Sequence, residues 1–405
     1  MNIKIIQPNL RFKEFSDNWE IKKFSDVATD FMYGLNAAAT TYNGRDKYIR
    51  ITDINDELNT YSPHPLTSPE GTLVDKFKLS VGDIVFARTG ASTGKSYIYD
   101  ENDGNLYFAG FLIKASIQKA NPHFIFYQTL IESYRRWIKI MSIRTGQPGI
   151  NAEEYKQLKM SCPSIKEQQK IASFLTSVDS KISQLTEKHR LLKEYKKGVM
   201  QQIFSQQLRF KDEDGKVFPE WEEIKFGDFL TLDLRKVTKP SGKFLALGVR
   251  SHVKGVFHKP NFDPKKIAME ELYVVKKDDL ILSITFAWEG AIAIASNIDE
   301  GGLVSHRFPT FIFKLDKMTP DFFKHIISNL KLRYFLGNIS PGGAGRNRVL
   351  NKNDFLKIKW DIPCLDEQQK ISQFLQSIDK KIDAVAQQVE QTKQFKKGLL
   401  QQMFV

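Results

Sequence analysis

Along two stretches of the chain, apolar residues recur at alternating steps of four and three among polar and charged ones. The first runs through Ile171, Leu175, Val178, Ile182 and Leu185 and resumes at Leu192, Val199 and Ile203. The second runs through Ile371, Leu375, Ile378, Ile382, Val385 and Val389 and resumes at Leu399 and Met403. A seam this narrow predicts a long helix that pairs along its length with another. At about 1.5 Å per residue each helix would be roughly 55–60 Å long, a rod whose outer faces stay available to partners. The two stretches are also copies. Residues 167–204 and 367–404 share eighteen of thirty-eight positions without a gap, from Glu167-Gln168-Gln169-Lys170-Ile171 against Glu367-Gln368-Gln369-Lys370-Ile371 to Lys196-Lys197-Gly198 against Lys396-Lys397-Gly398.

The copying extends beyond the helices. Leu10-Arg11-Phe12-Lys13 followed by Trp19 answers Leu208-Arg209-Phe210-Lys211 followed by Trp221, and Asn151 and Tyr155 answer Asn351 and Phe355. Strand-like alternation appears at Lys47–Ile54, Asp83–Arg88, Tyr97–Tyr99 and Tyr107–Ile117 in the first half. In the second half it appears at Phe244–Val249, Asp279–Thr285, Ala291–Ala295 and Phe308–Lys314. Pro122–Met141 and Pro320–Leu336 have helical spacing. The expected order is globular domain, helix, globular domain, helix, with boundaries at 1–162, 163–206, 207–362 and 363–405. The fold class is α+β: two mixed α/β globular domains joined by two long antiparallel coiled-coil-like helices, an internal duplication with pseudo-two-fold symmetry.

A chain of 405 residues with 41% hydrophobic content and thirty Phe can fill two ordinary cores. Cys162 and Cys364 beside Pro163 and Pro363 form no CxxC or Cys/His cluster, so a reduced, cytoplasmic, zinc-free protein is expected. No signal peptide is visible. Leu280–Ser296, the most apolar stretch, carries Glu289 and Gly290 and reads as buried strands, so no membrane association is expected. The net charge is +13. Residues 167–206 hold seven basic against four acidic groups and 367–405 hold six against four, so +8 of the total lies outside the helices. Basic globular domains point first to nucleic acid.

Several motifs resemble catalytic signatures and fail on their own chemistry. Gly90–Ser96 has Thr89 where a phosphate-binding loop needs its first glycine, and a strand-like Tyr97-Ile98-Tyr99 where the loop needs a helix N-terminus. Asn121-Pro122-His123-Phe124 lacks the second proline of a methyltransferase base loop and reads as a helix cap. Glu20-Ile21-Lys22 and Glu223-Ile224-Lys225 have nuclease-like spacing but sit in the repeated entry segments beside Trp19 and Trp221. No catalytic residue and no metal ligand is assigned. Binding chemistry remains. Arg144 with Gln147, Arg250 with His252, and Arg346 with Asn347 and Arg348 stand on turns beside glycine and are candidates for paired contacts to base edges. Arg50, Arg88, Thr89, Lys95, Arg235, Lys243 and Lys254 are candidates for phosphate contacts.

The two Glu-Gln-Gln-Lys-Ile motifs after a proline, the Leu-Arg-Phe…Trp entries and Gly82-Asp83-Ile84-Val85-Phe86-Ala87-Arg88-Thr89-Gly90 together resemble a specificity (S) subunit of a type I restriction-modification system, over about residues 10–405. The resemblance implies two target-recognition domains, each reading one half of a bipartite asymmetric site in double-stranded DNA. It implies that the helix pair sets the gap between half-sites and docks two methyltransferase (M) subunits, with two restriction (R) subunits adding cleavage. S-adenosylmethionine, ATP and Mg would then belong to those partners, and this chain would carry no cofactor and no catalysis. Two departures are visible: Lys277-Asp278-Asp279-Leu280 lacks the glycine found at Gly82, and Trp288-Glu289-Gly290 replaces the Gly94-Lys95 region. A free-standing DNA-binding or anti-restriction protein and a scaffold for two protein partners are the alternative readings.

Overall fold

The computed structural model describes residues 7–143, 146–342 and 348–405. The chain forms two compact units, Met1–His189 with Ala384–Val405, and Arg190–Asp383. Both predicted long helices are present, Ile165–Phe204 and Leu365–Met403, and they pack together. Each contributes a segment to each unit. In the first unit Ile171, Leu175, Val178 and Ile182 of the first helix share a core with Leu399, Leu400 and Met403 of the second. In the second unit Val199 and Ile203 meet Ile371, Leu375, Ile378 and Ile382. The start of one helix therefore lies beside the end of the other, which is an antiparallel pairing. Two ion pairs hold the register: Lys396 Nζ to Asp179 Oδ1 at 2.6 Å and Lys196 Nζ to Asp379 Oδ1 at 2.6 Å.

The repeated motifs are explained by what they hold. Arg11 forks onto Glu167, with Nε and a terminal nitrogen donating to the two carboxylate oxygens at 2.7 and 2.8 Å. Arg209 does the same to Glu367 at 3.0 and 3.1 Å. Both glutamates are buried. Gln168 accepts from Asn121 N at 2.9 Å and donates to Pro163 O at 2.9 Å. Gln368 accepts from Thr319 N at 3.0 Å and donates to Pro363 O at 3.0 Å. The first two residues of each Glu-Gln-Gln-Lys-Ile thus tie entry segment, long helix and domain helix together.

Each unit has a four-stranded antiparallel sheet of the same order. In the first it runs Ala28–Tyr33, Leu112–Ile117, Asp83–Ala87, Ser96–Ile98. In the second it runs Leu230–Leu232, Thr310–Phe313, Leu280–Leu282, Ile292–Ile294. A short ribbon accompanies each: Glu20–Lys23 with Lys159–Cys162, and Glu222–Lys225 with Lys359–Ile362. The remaining strands differ. The first unit has two separate pairs, Ala39–Thr41 with Thr67–Pro69 and Lys47–Ile49 with Leu106–Phe108. The second has a five-stranded sheet that includes Phe244–Val249, with Leu303–Val304 at its centre.

Both predicted domain helices break in two. Pro122–Gln128 is followed by Glu132–Met141, and Pro320–Ile327 by Leu330–Asn338. The hydroxyl of Thr129 bonds back to Phe126 O at 2.6 Å, and the Asn329 side chain caps a fresh helix at Lys331 N, so polar residues that read as helix interior act as punctuation. Asn121 caps its helix at Phe124 N, 3.0 Å away.

Candidate nucleic-acid interface

In each unit the hairpin loop of the four-stranded sheet meets the loop that closes the domain. In the first unit the hairpin loop spans 88–95. Ala87 N donates to Lys95 O, Gly90 N donates to Pro148 O at 2.9 Å, and Ile150 N donates to Arg88 O at 2.9 Å. Gln147 is exposed, and its amide would stand 3.0 Å from a Cβ placed on Gly90, so Thr89, Gly90 and Gln147 come together. Gly94 has a φ of +88°, and a Cβ there would lie 2.6 Å from Ile138. Only glycine fits this turn.

The second unit repeats that backbone with other side chains. Ser283 N donates to Ala291 O at 2.8 Å and Leu350 N to Ile284 O at 2.8 Å, which makes Ile284 the counterpart of Arg88 and Ala291 of Lys95. Gly290, at φ +78°, stands where Gly94 does, so Trp288-Glu289 corresponds to Ser92-Thr93. Likewise Asp278 takes a φ of +66° in the place of Gly82, the unusual backbone being kept without the glycine. The guanidinium of Arg348 lies over the Trp288 ring, 5.2 Å from its centroid. A third loop joins this face: His252 N and Val253 N donate to Glu289 O and Gly290 O at 2.8 and 2.9 Å, and Ser251 Oγ to Glu289 Oε2 at 2.7 Å. His252 and Val253 both have positive φ, 62° and 56°, a costly conformation for a β-branched residue that the bonds to 289 and 290 hold in place. Arg250 is exposed at the base of this loop, its guanidinium 5.8 Å from the Phe257 ring.

The structure thus brings Gln147 to Thr89 and Gly90, and Arg348 to Trp288, whose own loop is bonded to the one carrying His252. Arg144, Arg346 and Asn347 lie outside the described residues. Among the phosphate candidates, Arg50 forks onto the buried Asp53 at 2.8 and 2.8 Å, and Arg235 binds the buried Asp279 and also Asp233 at 2.8 Å. Lys95 pairs at 2.6 Å with Asp56, a highly exposed carboxylate, which is a weak competitor for a phosphate. Lys243 and Lys254 are exposed. Sequence reasoning passed over Tyr33 and Phe111, which flank Arg88 at 4.8 and 5.8 Å. The only signal was an aromatic beside glycine at a turn, which says nothing of its neighbours. Among the described residues no group of three or more His, Cys, Asp or Glu could hold a metal ion, and no helix is long and apolar enough to cross a membrane.

The family model for the type I restriction modification DNA specificity domain matches twice, over residues 16–194 and 219–394. The chain belongs to that family. As a member it is a type I restriction-modification specificity subunit with two DNA specificity domains. The type I restriction enzyme MjaVIII specificity subunit of Methanocaldococcus jannaschii is 25% identical over 343 residues, covering 76% of this chain and 79% of that one. The provisionally named MjaX specificity subunit of the same organism is 24% identical over 413 residues, covering 96% and 93%. The crystal structure of a type I restriction-modification S subunit from M. genitalium superposes with a TM-score of 0.59 at 16% identity, covering 99% of both chains, and so shares the fold.

Proposed function

We propose that each unit reads one half of a bipartite asymmetric DNA site, with 1–162 and 207–362 as target-recognition domains and 163–206 and 363–405 as spacer helices. The observation that carries this reading is the pair of like frames with unlike loops: the hairpin and closing loops occupy the same backbone positions but present Arg88, Thr89 and Gln147 in one unit and Trp288 and Arg348 in the other, where a third loop adds His252. The helices, about 60 Å long at 1.5 Å per residue, set the gap between half-sites. Methylation and cleavage come from two M and two R subunits, which bring S-adenosylmethionine, ATP and Mg, while this chain supplies position alone. The test is co-expression with the cognate M subunit and genome-wide mapping of methylated adenine. A two-part motif with a fixed unread gap is expected, and a heptad added to one helix should alter the gap while both half-sites persist. An unbroken or absent motif, or half-sites that change with the heptad, would sink the reading.

Docking of two partners on the helix pair draws support from a second repeat. Gly198 and Gly398 sit inside long helices, where glycine costs about 1 kcal/mol relative to alanine, yet a Cβ at either would meet nothing within 4 Å. The exposed aromatics Tyr195 and Phe395 stand one turn before them. A glycine that nothing among the described residues requires, beside an uncovered ring, fits the close approach of a partner helix at two equivalent places. Gly198→Leu with Gly398→Leu is expected to leave the chain folded and to abolish M binding in a pull-down, and either change alone to leave one M per chain by native mass spectrometry. Two M subunits bound to the double variant would remove these residues from the interface.

A further inference from the structure

Beside the hairpin loop of the first unit lies a groove of about 590 Å³ whose lining includes Tyr33, Asn36, Arg50, Arg88, Gly110 and Phe111. Two of these are arginines in opposite circumstances. Arg50 is neutralised by the buried Asp53, to which it gives Nε and one terminal nitrogen. Arg88 has no carboxylate partner among the described residues. Its Nε donates to Gly110 O at 3.0 Å, and its guanidinium lies 4.8 Å from the Tyr33 ring centroid and 5.8 Å from that of Phe111. Its terminal nitrogens make no hydrogen bond among the described residues.

The flanking rings are themselves placed. Tyr33 OH accepts from Ala152 N at 3.3 Å, at the start of the short helix Ala152–Lys156, and Gly110 N donates to Leu35 O at 2.8 Å. Both rings nevertheless face outward, Tyr33 at 42% and Phe111 at 60% exposure. An arginine fixed by a backbone carbonyl and two rings has lost its freedom before any ligand arrives, so little entropy remains to be given up on binding. The rings also strip water from the guanidinium and strengthen its remaining hydrogen bonds. A phosphate contact calls for none of this, since mobile lysines and arginines serve it along the whole backbone.

We propose that Arg88 is a specificity-determining residue, reading the O6/N7 edge of one guanine in the half-site recognised by the first unit, with Tyr33 and Phe111 as positioning residues. The Arg88 carbonyl accepts from Ile150 N at 2.9 Å, and Gln147 lies beside Gly90 two residues on, so the groove adjoins the loop that carries this base-reading candidate. The second unit has Ile284 at the equivalent position and therefore has no such reader. This inference rests on the proposed reading of half-sites.

The test maps adenine methylation in cells carrying the whole chain with its M subunit, as wild type, Arg88→Ala, Arg88→Lys and Phe111→Ala. The wild-type motif is expected to contain a guanine in one half-site. In Arg88→Ala that position alone should become degenerate, with discrimination falling on the order of 5- to 100-fold. Arg88→Lys should retain part of it, and Phe111→Ala should weaken the same position with Arg88 still present. Circular dichroism of each variant confirms folding. An unchanged motif with methylation lowered evenly at all sites would make Arg88 a phosphate contact, and an unchanged motif at unchanged level would make it structural; both overturn the proposal. A wild-type complex with no two-part motif would instead sink the half-site reading itself.

Discussion

Replacing Glu367 by alanine is expected to destabilise the unit Arg190–Asp383 by about 3–5 kcal/mol, the usual penalty for removing one member of a buried ion pair. Glu367 is fully buried and receives three bonds: two from Arg209, at 3.0 and 3.1 Å, and one from the Trp221 indole nitrogen at 3.1 Å. Without the carboxylate the guanidinium keeps its contact to Pro219 O at 2.6 Å and a 3.4 Å ion pair with the exposed Glu220, but loses its buried counter-charge. The tie between the entry segment and the second long helix goes with it. Glu167→Ala in the other unit is expected to cost less. Its carboxylate also takes two bonds from Arg11, but the Trp19 indole nitrogen there has no hydrogen-bond partner among the described residues. Urea unfolding followed by peptide-resolved hydrogen exchange separates the two units. Equal effects would refute the added role of the Trp221 bond, and a loss under about 1 kcal/mol in both would show the motif to be dispensable to the fold.

The second large effect is expected with pH. His325 lies in the helix Pro320–Ile327, buried, with one ring nitrogen unpaired among the described residues. Burial, reinforced by the Lys196 charge, pushes its pKa down from 6.5 to about 4, while Asp379 and Asp321 pull the other way. The sign follows directly. Between about pH 6.5 and 4 the unfolded chain holds a proton on this imidazole that the folded one refuses, so its stabilising share is complete above 6.5 and is lost as pH falls toward 4. The loss approaches about 3 kcal/mol. His325→Tyr should abolish that part of the acid sensitivity, because the first unit already uses tyrosine there: Tyr127 donates to Asp179 Oδ2 at 2.8 Å beside Lys396. The measurement is exchange protection of residues 320–327 at pH 7 and pH 5, corrected for intrinsic rates, in both proteins. A difference that does not change with pH would refute the assignment.

The helices, their pairing and the duplication were legible in the sequence because a seam repeated at a fixed offset leaves no other way to bury Ile171, Leu175 and their copies. The hairpin strands were legible for the same reason: Asp83–Ala87 and Leu280–Leu282 are apolar runs closed by turn residues. Loop chemistry was not. Arg50, Arg88 and Arg235 look alike in the sequence, yet two of them grip buried aspartates while one lies between aromatic rings. Nor could side-chain matching align Trp288-Glu289-Gly290 with Ser92-Thr93-Gly94, since what the loops share is a left-handed backbone at Gly94 and Gly290.

Periodicity and repetition, which are written along the chain itself, determined the two-domain plan and the helix pair, and the surplus charge outside the helices pointed toward nucleic acid. Tertiary structure decided which arginines have partners, why each Glu-Gln-Gln-Lys-Ile is kept, and where the domain helices break. The role of each motif depends on groups more than a hundred residues apart, Arg11 with Glu167 and Arg209 with Glu367, and local pattern carries no record of such meetings; Arg50 with Asp53 and Thr129 with Phe126 are three residues apart, yet the pattern does not say which polar side chain turns back on its own chain.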